Sequence, residues 1–277
     1  MIKLGHIIYS NTVPVHAGII SGAIKFPFKL VEGIPTELNR LLSEGSIDVS
    51  PSSSIEYAKN PDRYLILPGF SITSKNNVMS IILQSRVPIT GLHGKTVALT
   101  TASATSVVLL RILLELRYNV RPDYTQFVQG KEHPYDRADA VLLIGDHALK
   151  RPTIAGFDYE YDLGGLWREF TGLPFVFALW QVNYKKNIDK DLDVLYHILK
   201  ESKAYGLSHL TELAEQYAER FGIPAQTLLA YWAAFSFGLG PEEQKGLMTY
   251  YGYAAEIGVV EPVPDLRFWN GPSLSGS

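Results

Sequence analysis

Between Lys3 and Lys59 a two-residue apolar alternation gives way to helical spacing three times over. Lys3 to Tyr9, Phe26 to Val31 and Ile47 to Ser50 read as strands. A short helix opens at Pro14. A second begins at Pro35, carries Leu38, Leu41 and Leu42 on one face and stops at Gly45, and a third runs from Ile55 to Lys59. Strand and helix in strict turn predict an α/β fold with parallel strands and helices on the sheet faces.

The remainder of the chain divides the molecule in two. Val78 to Ser85 and Phe175 to Val182 are β-rich runs, and between them residues 95–99 and 140–144 read as strands, with a helix from Val107 to Leu116. After Val182 the pattern is almost wholly helical to about Ile257, and the tail from Pro262 is expected to be loose. Two β-rich connections bracketing a middle segment predict two lobes joined by two hinge crossings. Residues 1–86 plus 176–277 would form a discontinuous first lobe with the C-terminal helices, and 87–175 the second. A ligand is expected in the cleft between them.

Composition narrows the chemistry. There is no cysteine, which excludes thiol catalysis, disulfides and cysteine-bound metal, and the seven histidines are scattered. No metal or cofactor is expected. The net charge of -3 argues against a nucleic-acid partner. The N-terminal segment lacks the continuous apolar stretch of a secretory signal, and no run reaches the ~20 apolar residues of a membrane span. A cytoplasmic protein without a membrane partner is expected, as monomer or homodimer.

The informative segments are polar turns where strands hand over to helices, because ligands of open α/β sheets bind beyond the carboxyl ends of the strands. Thr100 to Ser106 holds five hydroxyls in seven residues and no charge. Thr101, Ser103, Thr105 and Ser106, with the backbone of Ala104, would cradle a carboxylate at a helix start; an ordinary N-cap explains the same residues. Ser52, Ser53 and Ser54 repeat the pattern with the same alternative. Asn11 follows the first strand and both donates and accepts hydrogen bonds, as many turn asparagines do. Gly145 and Asp146 follow a buried strand, where the carboxylate would orient a hydroxyl, act as a base or simply cap the next helix. No phosphate loop, dinucleotide fingerprint, Ser-His-Asp or zinc-protease motif occurs.

These turns fall within six ordered blocks that resemble the menaquinone-biosynthesis enzymes of the futalosine pathway. The blocks are G-H-I-x-Y-x-N-x-x-P at Gly5 to Pro14 and the segments at 33–42, 47–57, 98–107, 142–149 and 161–180. The branch that dehydrates chorismate is the most similar. The resemblance implies a two-lobed, type II periplasmic-binding-protein-like fold and conversion of chorismate to 3-[(1-carboxyvinyl)oxy]benzoate plus water. Asn11 would then work at the C4 hydroxyl, the two hydroxyl-rich turns would hold the two carboxylates, and the base would be Asp146, a water or the substrate's own enolpyruvyl carboxylate. The alternatives are the sister branch that makes 1,4-dihydroxy-6-naphthoate and a non-catalytic intracellular binder of small anions. One departure stands out: Lys75-Asn76-Asn77 precedes Val78 where the family often has Asp-Gly-Pro.

Overall fold

The computed structural model describes residues 1–184 and 188–271. Eleven strands form two mixed sheets. They are β1 (Lys3–Ile7), β2 (Lys29–Gly33), β3 (Val49–Ser53), β4 (Tyr64–Ser74), β5 (Ile81–Ser85), β6 (Thr96–Thr100), β7 (Asp123–Phe127), β8 (Ala140–Ile144), β9 (Tyr159–Asp162), β10 (Phe175–Asn183) and β11 (Phe235–Ser236). The helices are α1 (Val13–Ile20), α2 (Pro35–Ser43), α3 (Ser54–Lys59), α4 (Ala104–Ile112), α5 (Gly145–Leu149), α6 (Leu163–Thr171), α7 (Asp189–Ser208), α8 (Leu210–Phe221), α9 (Ala225–Ala233) and α10 (Pro241–Glu256).

The first sheet has the order β11-β4-β10-β3-β1-β2 and the second β7-β6-β8-β5-β9. β1 runs parallel to β2 and β3, and β6 parallel to β7 and β8, as the alternating pattern predicts. Each sheet also takes in one strand that follows a crossing and runs antiparallel to its neighbours, β10 in the first and β5 in the second. Residues 81–85, expected with the first lobe, therefore pair in the second sheet, and the chain passes from one sheet to the other between Ser74 and Ile81. A continuous apolar run has no period that tells which sheet it joins.

Two further segments depart from the sequence reading. β4 was hidden by Pro68-Gly69, which looks like a breaker. The register jumps there, from Leu179 opposite Ser71 to Gln181 opposite Ile66, so the dipeptide sits in a bulge. The tail is fastened as far as Trp269: Ile66 donates to the Arg267 carbonyl at 2.8 Å, Trp269 to the Ile66 carbonyl at 2.9 Å, and the Tyr57 hydroxyl to the Asp265 carbonyl at 2.7 Å. Residues 272–277 of the expected loose tail lie outside the described residues.

The C-terminal helices tie the two sheets together. Leu213, Tyr217, Leu228 and Trp232 from α8 and α9 pack with Val13 of α1 and with Leu149 of α5. Burying a leucine such as Leu149 contributes about 2 kcal/mol. On α10, the Tyr250 hydroxyl donates to the Thr105 carbonyl at 3.1 Å while that of Tyr251 donates to the Ser54 carbonyl at 2.7 Å. Neighbouring residues of one helix thus grip the starts of α4 and α3.

Candidate active site

A cavity with an empty volume of about 510 Å³, its open mouth included, lies where the two sheets face each other. β1 leads into it through a single 3-10 turn, Ser10–Thr12, folded back by the Thr12 hydroxyl on the Ile7 carbonyl at 2.8 Å. The turn places Asn11 at the cavity with its Oδ1 buried and unpartnered among the described residues. A buried amide oxygen without a partner is expensive, so a ligand or water donor belongs there.

The two hydroxyl-rich segments behave differently. At the second, Ser103 is the N-cap of α4: its Oγ accepts the Ser106 N–H at 3.3 Å and lies 2.9 Å from the Ser106 hydroxyl. Both serines line the cavity. One hydroxyl hydrogen is spent between them and the other is left to donate to a ligand. The Ala104 and Thr105 N–H groups at the helix start have no intrahelical acceptor. Thr105 turns its side chain away, accepting the Ile55 N–H at 3.3 Å. Thr101 is exposed and outside the cavity, its N–H held by the Phe127 carbonyl at 3.1 Å.

Ser52 to Ser54 form neither a polar turn nor a side-chain N-cap. Pro51 to Ser53 continue β3, because beyond Val49 this strand is paired only with β10 and the missing proline N–H leaves no ladder bond unmade. All three serines are buried, and α3 has no side-chain cap. Ser53 lines the cavity; Ser54 donates to the Val176 carbonyl at 2.8 Å, and the Ser52 hydroxyl has no partner among the described residues.

Gly145 also reaches the cavity, at φ +61°, with the Tyr9 ring 3.2 Å from where a Cβ would stand, so only glycine suits it. Its N–H is committed to the Ser80 carbonyl at 2.7 Å. Asp146 points elsewhere: it accepts the Ser10 hydroxyl at 2.5 Å and the Ser10 N–H at 3.2 Å, joining the two sheets at the cavity rim. Burial raises the Asp146 carboxyl above the usual range, against the pull of the Ser10 hydrogen bonds. The Trp232 indole donates to the Ser10 carbonyl at 2.9 Å and completes this clasp.

Sequence reasoning passed over Tyr9 and Ser80, both of which line the cavity. Burial, reinforced by Asp146, pushes the Tyr9 phenol up to about 12, so it stays neutral. Ser80 follows Met79, which is left-handed at φ +64°, a conformation that costs a non-glycine residue roughly 1–2 kcal/mol. Asp162 holds that bend, accepting the Val78 N–H at 2.9 Å and the Met79 N–H at 2.7 Å while capping α6 through Gly165 at 3.1 Å. The Lys75-Asn76-Asn77 segment fits beside it because Gly164-Gly165 stand in the first turn of α6: a methyl at Gly164 would come within 2.6 Å of the Asn76 carbonyl. Ile7, Ile72, Ile81, Phe177 and Phe235 supply an apolar wall. No arginine, lysine, histidine or acidic side chain is among the described lining residues. The cavity is suited to an oxygen-rich, partly apolar ligand held by neutral donors.

Two mixed sheets joined by two crossings around such a cleft define the periplasmic-binding-protein-like class. The Escherichia coli periplasmic aliphatic sulphonate binding protein SsuA superposes with a TM-score of 0.67 at 15% identity, covering 100% of this chain and 94% of its own. Residues 2–256 match the family described as menaquinone biosynthesis, and the chain belongs to that family. It is 35% identical over 258 residues to the chorismate dehydratase of Thermus thermophilus, covering 87% of this chain and 91% of that protein. The 1,4-dihydroxy-6-naphtoate synthase of the same organism is 25% identical over 276 residues, covering 95% and 97%.

Proposed function

We propose that this chain is a hydro-lyase that removes water from chorismate to give 3-[(1-carboxyvinyl)oxy]benzoate. The observation that carries the reading is a cavity lined by hydroxyls, one unpartnered asparagine oxygen and an apolar wall, in a chain 35% identical to a chorismate dehydratase. Chorismate presents two carboxylates, a C4 hydroxyl and an apolar ring face, which match those three kinds of surface.

Breaking the C3–H bond leaves an electron pair that spreads through the ring double bond into the ring carboxylate. That pair then forms the C3–C4 double bond as the C4–O bond breaks, and the departing hydroxide takes up a proton as water. The product ring is aromatic, so the elimination is strongly downhill and redox-neutral. Ser53 on one side and Ser103 and Ser106 on the other hold a carboxylate each, and fixed donors strengthen their grip as charge develops. Asn11 binds the C4 hydroxyl. Among the described residues no lining side chain is a competent base at neutral pH, and Asp146 is occupied by Ser10, which supports proton removal by the substrate's own enolpyruvyl carboxylate. The sister synthase is the less favoured reading, because the synthase relative is 25% identical to this chain against 35% for the dehydratase.

The reading includes a cytoplasmic location, action as monomer or homodimer, and residues 1–74, 175–184 and 188–271 moving as one lobe against 81–171. Among the described residues no helix is long and apolar enough to cross a membrane. The test is incubation of purified protein with chorismate, followed by chromatography with mass detection. Loss of one water with appearance of the aromatic enolpyruvyl ether is the expected result. Unchanged chorismate, or an Asn11→Ala variant with near-normal turnover, would overturn the reading or the Asn11 assignment respectively.

A further inference from the structure

We infer that Tyr231 is a positioning residue whose phenol sets the direction of the Ser80 hydroxyl, so that the Ser80 hydrogen is delivered into the cavity. The inference deepens the proposed dehydration and rests on it. Tyr231 lies on α9, far from Ser80 in sequence and fully buried, and donates its hydroxyl hydrogen to the Ser80 Oγ at 2.7 Å. Burial, with Asp146 and Asp162 nearby, keeps the phenol neutral and therefore a donor. A serine hydroxyl carries one hydrogen and two acceptor sites. With one acceptor site filled by Tyr231, the Ser80 hydrogen cannot point back along that bond, and Ser80 has no other side-chain hydrogen bond among the described residues. The cavity, which Ser80 lines, is where a ligand oxygen can take it.

The backbone around Ser80 leaves little other freedom. Left-handed Met79 precedes it, Asp162 holds the Val78 and Met79 N–H groups, and the Ser80 carbonyl receives the Gly145 N–H. Those contacts fix where the hydroxyl sits; only Tyr231 decides which way its hydrogen turns. The C-terminal helices therefore contribute to the site without lining it through α9 side chains.

Tyr231→Phe removes one oxygen and keeps the ring against Phe235, with centroids 4.9 Å apart in the native protein. The variant is expected to lose about tenfold in kcat/KM, mostly in kcat. Ser80→Ala is expected to lose more, and Tyr231→Phe in the Ser80→Ala background nothing further, a non-additivity that a purely structural role would not produce. Tyr231→Phe with native turnover, or with an equal loss whether or not Ser80 is present, overturns the inference. Native protein that leaves chorismate unconverted overturns the underlying reading and the inference with it, so the two failures are distinguished by the wild-type control.

Discussion

Pro51–Ser54 and Thr100–Ser106 are nearly the same text: a strand, a cluster of hydroxyls, a helix. They do different work. In the first, the strand continues through the cluster, so successive side chains alternate between faces and only Ser53 meets the cavity. In the second, the strand stops at Thr100 and Ser103 caps the helix, so hydroxyls three residues apart share one face and both meet the cavity. What separates them is backbone period, set by how far β10 extends the pairing of β3.

The sharpest way to break this comparison is the paired variant Ser103→Ala/Ser106→Ala. If the second segment is the chemical one, kcat/KM falls on the order of a thousandfold while the loss of the cap costs only about 1 kcal/mol of stability. Steady-state kinetics beside urea unfolding separates the two, and a variant within tenfold of native activity would reverse the assignment. Next in size is an acid effect centred on β1 and α1. His6 and His16 are buried with their Nδ1 atoms 2.7 Å apart. Burial, then Arg220, lowers His6 to about 4, and burial with His6 lowers His16 well below its ordinary range. Both are neutral when folded and take up protons on unfolding below about pH 6.5. Stability is then full above that pH and falls by about 3 kcal/mol from His6 alone as the pH drops to 4, with His16 adding in the same direction. Urea midpoints that stay level from pH 7 to 4 would contradict it.

Ser54→Ala probes the first segment directly. It strands the buried Val176 carbonyl and should lower stability by about 1–3 kcal/mol, with turnover in the folded fraction within roughly threefold of native. The smallest effect belongs to Ser52→Ala, which removes a buried hydroxyl that has no partner among the described residues. Unfolding should shift by less than about 0.5 kcal/mol or become slightly harder. A large loss at Ser52 would mean that its oxygen holds something the fold needs.

The alternation of strands and helices made the parallel cores of both sheets legible from residues alone. What stayed hidden depended on contacts distant in sequence. β5 joins the second sheet because Leu83 pairs with Leu142 and Tyr161, and nothing local to Leu83 says so. The tail is held by Tyr57, whose hydroxyl also accepts the Arg267 N–H at 2.7 Å. Of the residues in the polar turns, Asn11, Ser53, Ser103, Ser106 and Gly145 line the cavity, while Ser52, Ser54, Thr101, Ala104 and Thr105 do not and Asp146 is drawn to Ser10. Ser80 gave no signal, because its placement needs an unusual bend at Met79 and a carboxylate at position 162 to hold it.

The bond from the Trp232 indole to Ser10 has an optical consequence. Ser10 in turn holds Asp146, so any parting of the two walls disturbs the polarity around this one ring. Emission from the native protein minus that of Trp232→Phe isolates its signal from Trp167, Trp180 and Trp269. Whether the walls part when a ligand enters is thereby readable without a label, on the timescale of mixing.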